Sequence, residues 1–226
     1  MRVILVHGLG RSRLSLLLLA HRLCRSGHTP ELFPYSALME THERIVSRLV
    51  TRLRGLAAKG EEVGLVGHSF GGLLLREALA AAPGLRAKHL VMLATPNRQP
   101  RLAPRVYARF PLSFLRGTCA QRLADGSWFR SLPVPAIPYT IVAGTGGWRG
   151  RLFPFGHEPN DVALAVSETI INDEDRPVLV PALHRFIMHR CSVHRLIVER
   201  LGKTISTLPP ECAKSVQAWS RKKPDN

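Results

Sequence analysis

Five residues, Gly67-His68-Ser69-Phe70-Gly71, carry the clearest chemical signal in this chain. An apolar run at residues 63–66 precedes them, and an apolar, helix-forming stretch begins at Phe70. A serine placed where a buried strand turns straight into a helix is forced into a strained backbone. Its hydroxyl is then pushed out at the end of the sheet. Small residues two positions before and after it let strand and helix approach without collision. The N-terminus of the helix faces the same spot, and its free N–H groups favour negative charge there. The chemistry this allows is attack by Ser69 on an acyl carbonyl, with the developing oxyanion held by backbone N–H groups. A plain strand-to-helix turn with glycines for packing is the competing reading.

A second oxyanion donor is expected from Val6-His7-Gly8-Leu9-Gly10, at the end of the first apolar run. Gly8 and Gly10 allow the backbone close to a ligand. The N–H groups of Leu9 and Phe70 are therefore the expected oxyanion hole. His7 is read as fixing this loop by hydrogen bonding rather than as a base. His68 lies beside the nucleophile, with its ring expected to point away from the Ser69 Oγ.

His7-Gly8-Leu9 and Gly67-His68-Ser69-Phe70-Gly71-Gly72 resemble the corresponding motifs of the α/β-hydrolase family, in its lipase and esterase branch. Met92-Leu93-Ala94-Thr95-Pro96-Asn97 looks like the Leu-Gly-Thr-Pro-Asn segment of small bacterial lipase-like members. The resemblance implies a Ser, then Asp or Glu, then His order for the site. The acid candidates are Asp161, Asp173, Asp175, Glu158, Glu168 and Glu174. Asp161 lies in a stretch similar to the family's acid loop, where Asn-Asp-Gly precedes a β-branched stretch and a Ser-Glu pair. Here Val162 replaces the usual glycine. Asp173 and Asp175 fall just before the next strand, on the opposite edge of a parallel sheet. The histidine candidates are His184, His189 and His194. His184-Arg185-Phe186-Ile187-Met188 resembles the family's histidine loop before the final helix. Five-residue intervals keep the three off one helical face, which argues against a metal cluster. The resemblance thus implies Ser69 as nucleophile, His184 as base, Asp161 as its orienting acid, and no cofactor or metal.

The elements that must position these residues read as alternating strands and helices, the pattern of a parallel sheet with covering helices. Strands are expected at 2–6, 31–35, 63–67, 89–94, 139–143 and 177–180. Helices are expected at 12–26, 41–59, 70–82 and 192–201. The helix at 41–59 is the most clearly amphipathic, with Ile45, Leu49, Leu53 and Leu56 on one face. The fold class expected is α/β: a minimal α/β-hydrolase fold with helices on both faces of a mostly parallel sheet. Residues 97–137, rich in Pro and Arg, are expected to form a variable insertion over the site. The chain opens at the strand carrying the oxyanion loop, so the leading strands of larger members are expected to be absent.

The totals agree with one domain spanning 1–226, with residues 220–226 a frayed tail. The hydrophobic content of 45% suits a globular core. The net charge of +16 favours anionic partners, yet no nucleic-acid module is present, so nucleic acid is not expected as a partner. An arginine-rich composition without a functional meaning is the plain alternative. Arg98, Arg101, Arg105 and Arg109 are read as a basic stretch at the mouth of the site, favouring anionic interfaces or acidic esters. Phe110, Phe114, Trp128, Phe129, Trp148, Phe153 and Phe155 either line an acyl pocket or pack the insertion onto the core. Cys24, Cys119, Cys191 and Cys212 are far apart with no CxxC pair, which points to a reducing, cytoplasmic compartment, with peripheral contact to an anionic membrane surface left open. No run is long enough to span a membrane, and the first residues are read as working chain rather than a leader. Three functions stay open: hydrolysis of small-molecule or lipid carboxylic esters, another acyl transfer by the same residues, and a non-catalytic binding module.

Overall fold

The computed structural model describes residues 1–103 and 118–202. Six strands form one parallel sheet: β1 (Arg2–Val6), β2 (Thr29–Leu32), β3 (Glu62–His68), β4 (Arg86–Leu93), β5 (Tyr139–Gly144) and β6 (Val178–Val180). Their spatial order is β2-β1-β3-β4-β5-β6, and every pairing is parallel. The helices are α1 (Leu17–Arg25), α2 (His42–Ala58), α3 (Phe70–Ala80), α4 (Thr118–Ala124), α5 (Gly126–Ser131) and α6 (Cys191–Arg200).

The central strands are apolar on both faces because helices cover both. Ile4, Val6, Val63, Leu65, Leu90, Met92 and Ile141 face α2, α3 and α5. Val3, Leu5, Val66, Val91, Leu93 and Val142 face α1 and α6. This alternation is the period-two projection of the strand. In α2, Ile45, Leu49, Leu53 and Leu56 are all fully buried, as their spacing predicts. Thr41 caps that helix, its Oγ1 accepting the Arg44 N–H at 3.3 Å.

The chain winds from β1 outward to β2, then returns to place β3 on the other side of β1. That reversal opens a crevice beyond the carboxyl ends of β1 and β3, where ligands of open parallel sheets bind. The Gly8 loop leaves β1 there, and Ser69 leaves β3 there.

Several boundaries differ from the sequence expectation. The second strand is Thr29–Leu32 rather than 31–35. Pro30 is tolerated because β2 is an edge strand, whose outer side needs no ladder bonds. Phe33 and Tyr35 instead turn into the core. The first helix begins as a 3-10 turn, Arg13–Leu16, before α1. The fourth strand starts at Arg86, aided by a register shift opposite Val63/Gly64. Within 97–137, α4 and α5 supply regular structure. Residues 104–117, including Arg105, Arg109, Phe110 and Phe114, lie outside the described residues, as do Cys212 and the tail at 220–226. Among the described residues no helix is long and apolar enough to cross a membrane.

Candidate active site

The turn after β3 is as tight as the motif requires. Ser69 has φ 52° and ψ −124°, a conformation that L-residues rarely adopt. A Cβ on Gly67 would come within 2.5 Å of the Gly72 backbone, and one on Gly71 within 2.3 Å of the Val6 carbonyl oxygen. Strand and helix are therefore in direct backbone contact around the serine. The Ser69 N–H donates to the Leu93 carbonyl at 2.8 Å, tying the turn to the neighbouring strand.

The loop after β1 lies against the same serine, since a Cβ on Gly8 would sit 3.0 Å from the Ser69 Cβ. Leu9 is the next residue of that loop, and its side chain packs against the core. Phe70 opens α3, so its N–H has no partner within the helix. Of the two residues expected as oxyanion donors, Phe70 directly follows Ser69 and Leu9 follows Gly8 in the loop that meets it. His7 holds its loop from inside. Its Nδ1 lies 2.9 Å from the Gly8 carbonyl and its Nε2 3.2 Å from the Tyr35 carbonyl. The ring stacks on Tyr35 at 4.0 Å, and the Tyr35 hydroxyl donates to the His7 carbonyl at 2.8 Å.

The acid and histidine come from the loops after β5 and β6. Asp161 is buried, at 1% exposure. Its Oδ1 accepts the N–H groups of Ala163 (3.0 Å) and Leu164 (2.7 Å), which fix the carboxylate plane. Its backbone carbonyl accepts the His184 N–H at 3.0 Å. The His184 Nδ1 lies 2.7 Å from the Asp161 Oδ2, and the His184 Nε2 lies 3.0 Å from the Ser69 Oγ. With Nδ1–H donating to the carboxylate, Nε2 is left to accept from the serine hydroxyl. Residues 69, 161 and 184 are thereby joined in a continuous relay. Proton transfer from an attacking hydroxyl to an imidazole, with a carboxylate orienting the ring, is what such a line can do.

Four of the other acid candidates are engaged elsewhere, and Glu174 is exposed at the surface. Asp173 pairs with Arg98 at 2.5 Å. Asp175 accepts the Tyr139 hydroxyl at 2.8 Å and the Ile171 N–H at 2.8 Å. Glu158 and Glu168 both meet Arg101, at 2.6 and 2.8 Å. Both described arginines of the basic stretch are thus paired with carboxylates. His194 is fully buried, its Nε2 3.3 Å from the Ser26 Oγ. Of the aromatics, Trp128 and Phe129 join the core, and Phe155 is buried beneath Arg101. Trp148 and Phe153 face solvent.

Three supports escaped the sequence reading. The His68 Nε2 donates to the His184 carbonyl at 3.0 Å. Burial holds its pKa down at about 3, so the ring is neutral. Glu77 accepts from the Trp128 Nε1 at 2.9 Å and meets the His42 Nε2 at 2.7 Å. Those two rings lie 6.1 Å from the Phe70 ring and brace the start of α3. Arg76, 2% exposed, donates to the Pro133 and Leu132 carbonyls and to the Asn97 Oδ1. Each joins residues more than 50 positions apart or sits in a helix with no motif. Only an apolar helix carrying Arg76 and Glu77 side by side hinted at buried polar partners.

The sequence profile of the Alpha/beta hydrolase family matches residues 3–209. The chain belongs to the α/β-hydrolase family, and its six-stranded sheet is a minimal form of that fold. No curated protein matches the chain. Among solved structures it is similar to the mature lipase BlEst2 of Bacillus licheniformis, with 17% identity and a TM-score of 0.66 over 90% of this chain and 92% of that one. It is similar to phospholipase PlaB of Legionella pneumophila, with 16% identity and a TM-score of 0.61 over 98% of this chain and 63% of that one. It is also similar to an esterase of Pyrococcus furiosus, with 15% identity and a TM-score of 0.60 over 88% and 80%. At these identities the likeness is one of fold.

Proposed function

We propose that this hydrolase cleaves carboxylic esters through an acyl-enzyme on Ser69. The observation that carries the reading is the relay of 3.0 Å from the Ser69 Oγ to His184 and 2.7 Å from His184 to Asp161. His184 takes the Ser69 proton as the Oγ attacks the acyl carbonyl carbon. Asp161 holds the imidazole in the required tautomer and stabilises its cation. The N–H groups of Leu9 and Phe70 receive the oxyanion, each such donor contributing about 2.7–4 kcal/mol. His184 then protonates the leaving alkoxide. Water, deprotonated by the same ring, attacks the acyl-enzyme and frees the acid and Ser69. No step needs a cofactor. The lipase, esterase and phospholipase named among the similar structures support an ester as the substrate class.

The test is a product assay with one short acyl group presented as ester, thioester and amide, on wild type and His184→Ala. The ester is expected to turn over fastest, and His184→Ala to lose at least about 1,000-fold in kcat. Faster cleavage of the thioester or amide would replace this reading with another acyl transfer, and an unaffected His184→Ala variant would remove His184 as the base.

A further inference from the structure

Residues 145–156 leave β5 and lead to the Asp161 loop, and they carry an unusual surface. Trp148, Leu152 and Phe153 are exposed to 65, 97 and 42%. Trp148 and Phe153 stack on each other, with ring centroids 6.1 Å apart. Single exposed apolar residues need no explanation, but three within six positions, two of them stacked on each other, make a patch that marks an interaction site.

The backbone beneath the patch is fixed. Gly147 donates to the Asn160 carbonyl at 2.8 Å, and the Asn160 Nδ2 donates to the Trp148 carbonyl at 3.0 Å. Gly150 donates to the Gly156 carbonyl at 2.8 Å, and Phe153 to the Gly150 carbonyl at 3.0 Å. Phe155 turns inward and is buried. Asn160 directly precedes Asp161, so the patch is bolted to the acid loop at the carboxyl edge of the sheet, where Ser69 opens.

Charge alternates with the apolar residues. Arg149 and Arg151 are exposed, and among the described residues neither has a carboxylate within ion-pair distance. Glu158, the next acid along the chain, is already held by Arg101 and Ser167. A second exposed group, Leu14, Leu17 and Leu18 with the exposed Arg13, stands where β1 hands over to α1, at the same edge of the sheet.

We propose that loop 145–156 seats the protein on an anionic phospholipid surface. Trp148, Leu152 and Phe153 enter the boundary between headgroups and acyl chains, and Arg149 and Arg151 meet the lipid phosphates. Tryptophan at the headgroup level, basic residues interleaved with large apolar ones, and a net charge of +16 all fit that occupant. The docked edge then faces its substrate. Binding to the surface needs no chemistry, so it is read on a chain that lacks the Ser69 hydroxyl.

The experiment uses the full chain with Ser69→Ala and extruded vesicles of phosphatidylcholine, alone or mixed with phosphatidylglycerol. Co-sedimentation measures partitioning, and tryptophan emission reports insertion. Binding is expected on the mixed vesicles and to be much weaker on phosphatidylcholine alone. Changing Trp148, Leu152 and Phe153 together to Ser lowers partitioning at least tenfold. Arg149→Gln with Arg151→Gln lowers it about fivefold per arginine. Trp148→Phe retains binding but abolishes the blue shift of emission. Should the triple-serine variant lose its cooperative melt, the arginine pair and Trp148→Phe still decide the question. No binding to mixed vesicles, or equal binding by the arginine pair, would overturn the proposal. Self-association through the loop in place of vesicle binding would assign the patch to protein contact and overturn it too. Vesicle binding with no ester hydrolysis by wild type would contradict the proposed reaction and leave this surface standing.

Discussion

The Nε2 of His68 lies 3.0 Å from the backbone carbonyl of His184, so the residue before the serine holds the residue that faces it. The two rings lie 5.3 Å apart, with His68 fully enclosed. His68→Leu removes the donor and leaves a buried carbonyl unpaired, which costs about 1–3 kcal/mol. The expected result is lower stability together with a fall in kcat at nearly unchanged KM, because the His184 loop loosens while the substrate contacts remain. His68→Gln, which keeps a donor, should recover part of the kcat. Equal kinetics for His68→Leu and wild type would remove the positioning role.

Two buried histidines make stability depend on pH. Burial holds His68 down at about 3 and His194 at about 4. An unfolded histidine takes up its proton near pH 6.5. Between these values the unfolded chain binds more protons, so stability is complete above pH 6.5 and falls as the pH drops. At pH 5 each of the two should lower stability by about 2 kcal/mol. Urea melts at pH 7 and pH 5 check this, and an unchanged midpoint would refute it.

Val162, beside Asp161, has φ 82°, and Ala94 at the end of β4 has φ 47°. Both stand where the resembling motifs carry glycine. A left-handed backbone costs an L-residue about 1–2 kcal/mol, and a β-branched one suffers most. Val162 is 40% exposed, so little burial is lost on removing its side chain. Val162→Gly should raise the melting temperature by about 2–4 °C, after allowing for the greater unfolded-state entropy of glycine. A fall in the thermal melt would show that Val162 contributes packing that its exposure hides.

Arg76 is a buried cation that donates to two backbone carbonyls and one amide oxygen. It fastens α3 to residues 132–133 and, through Asn97, to the Thr169 carbonyl at 2.6 Å. Arg76→Met should cost about 3 kcal/mol and speed amide exchange in α5. Arg76→Lys should recover little, because an ammonium cannot reproduce the planar fork. Unchanged exchange in α5 would mean that core contacts of Trp128 and Phe129 hold that segment without it.

Most of the fold was legible where periodicity was strong. The continuous apolar runs of β1, β3 and β5 and the apolar face of α2 fixed their own identities, because burial on two faces or one leaves a plain pattern. The weak cases were short edges: β2 slid because Pro30 could hide on an outer edge, and β4 gained residues from a register shift. Ser69 was legible because its strain needs small residues on both sides. Asp161 and His184 were approached only through resemblance, since loops from separate strands carry no local spacing that binds them. His68, Arg76 and the Glu77 cluster act through contacts far along the chain, which no short window records. Of the basic stretch expected at the mouth, Arg98 and Arg101 pair with Asp173, Glu158 and Glu168 from distant parts of the chain, which no local pattern records.

Labelling with a fluorophosphonate tests the Ser69 relay most directly, because phosphonylation needs an activated hydroxyl and an oxyanion site but no knowledge of the substrate. Wild type should take up one label per chain on the peptide containing Ser69, and Ser69→Ala none. Label persisting in Ser69→Ala, or a folded wild type that takes up none, would contradict the account.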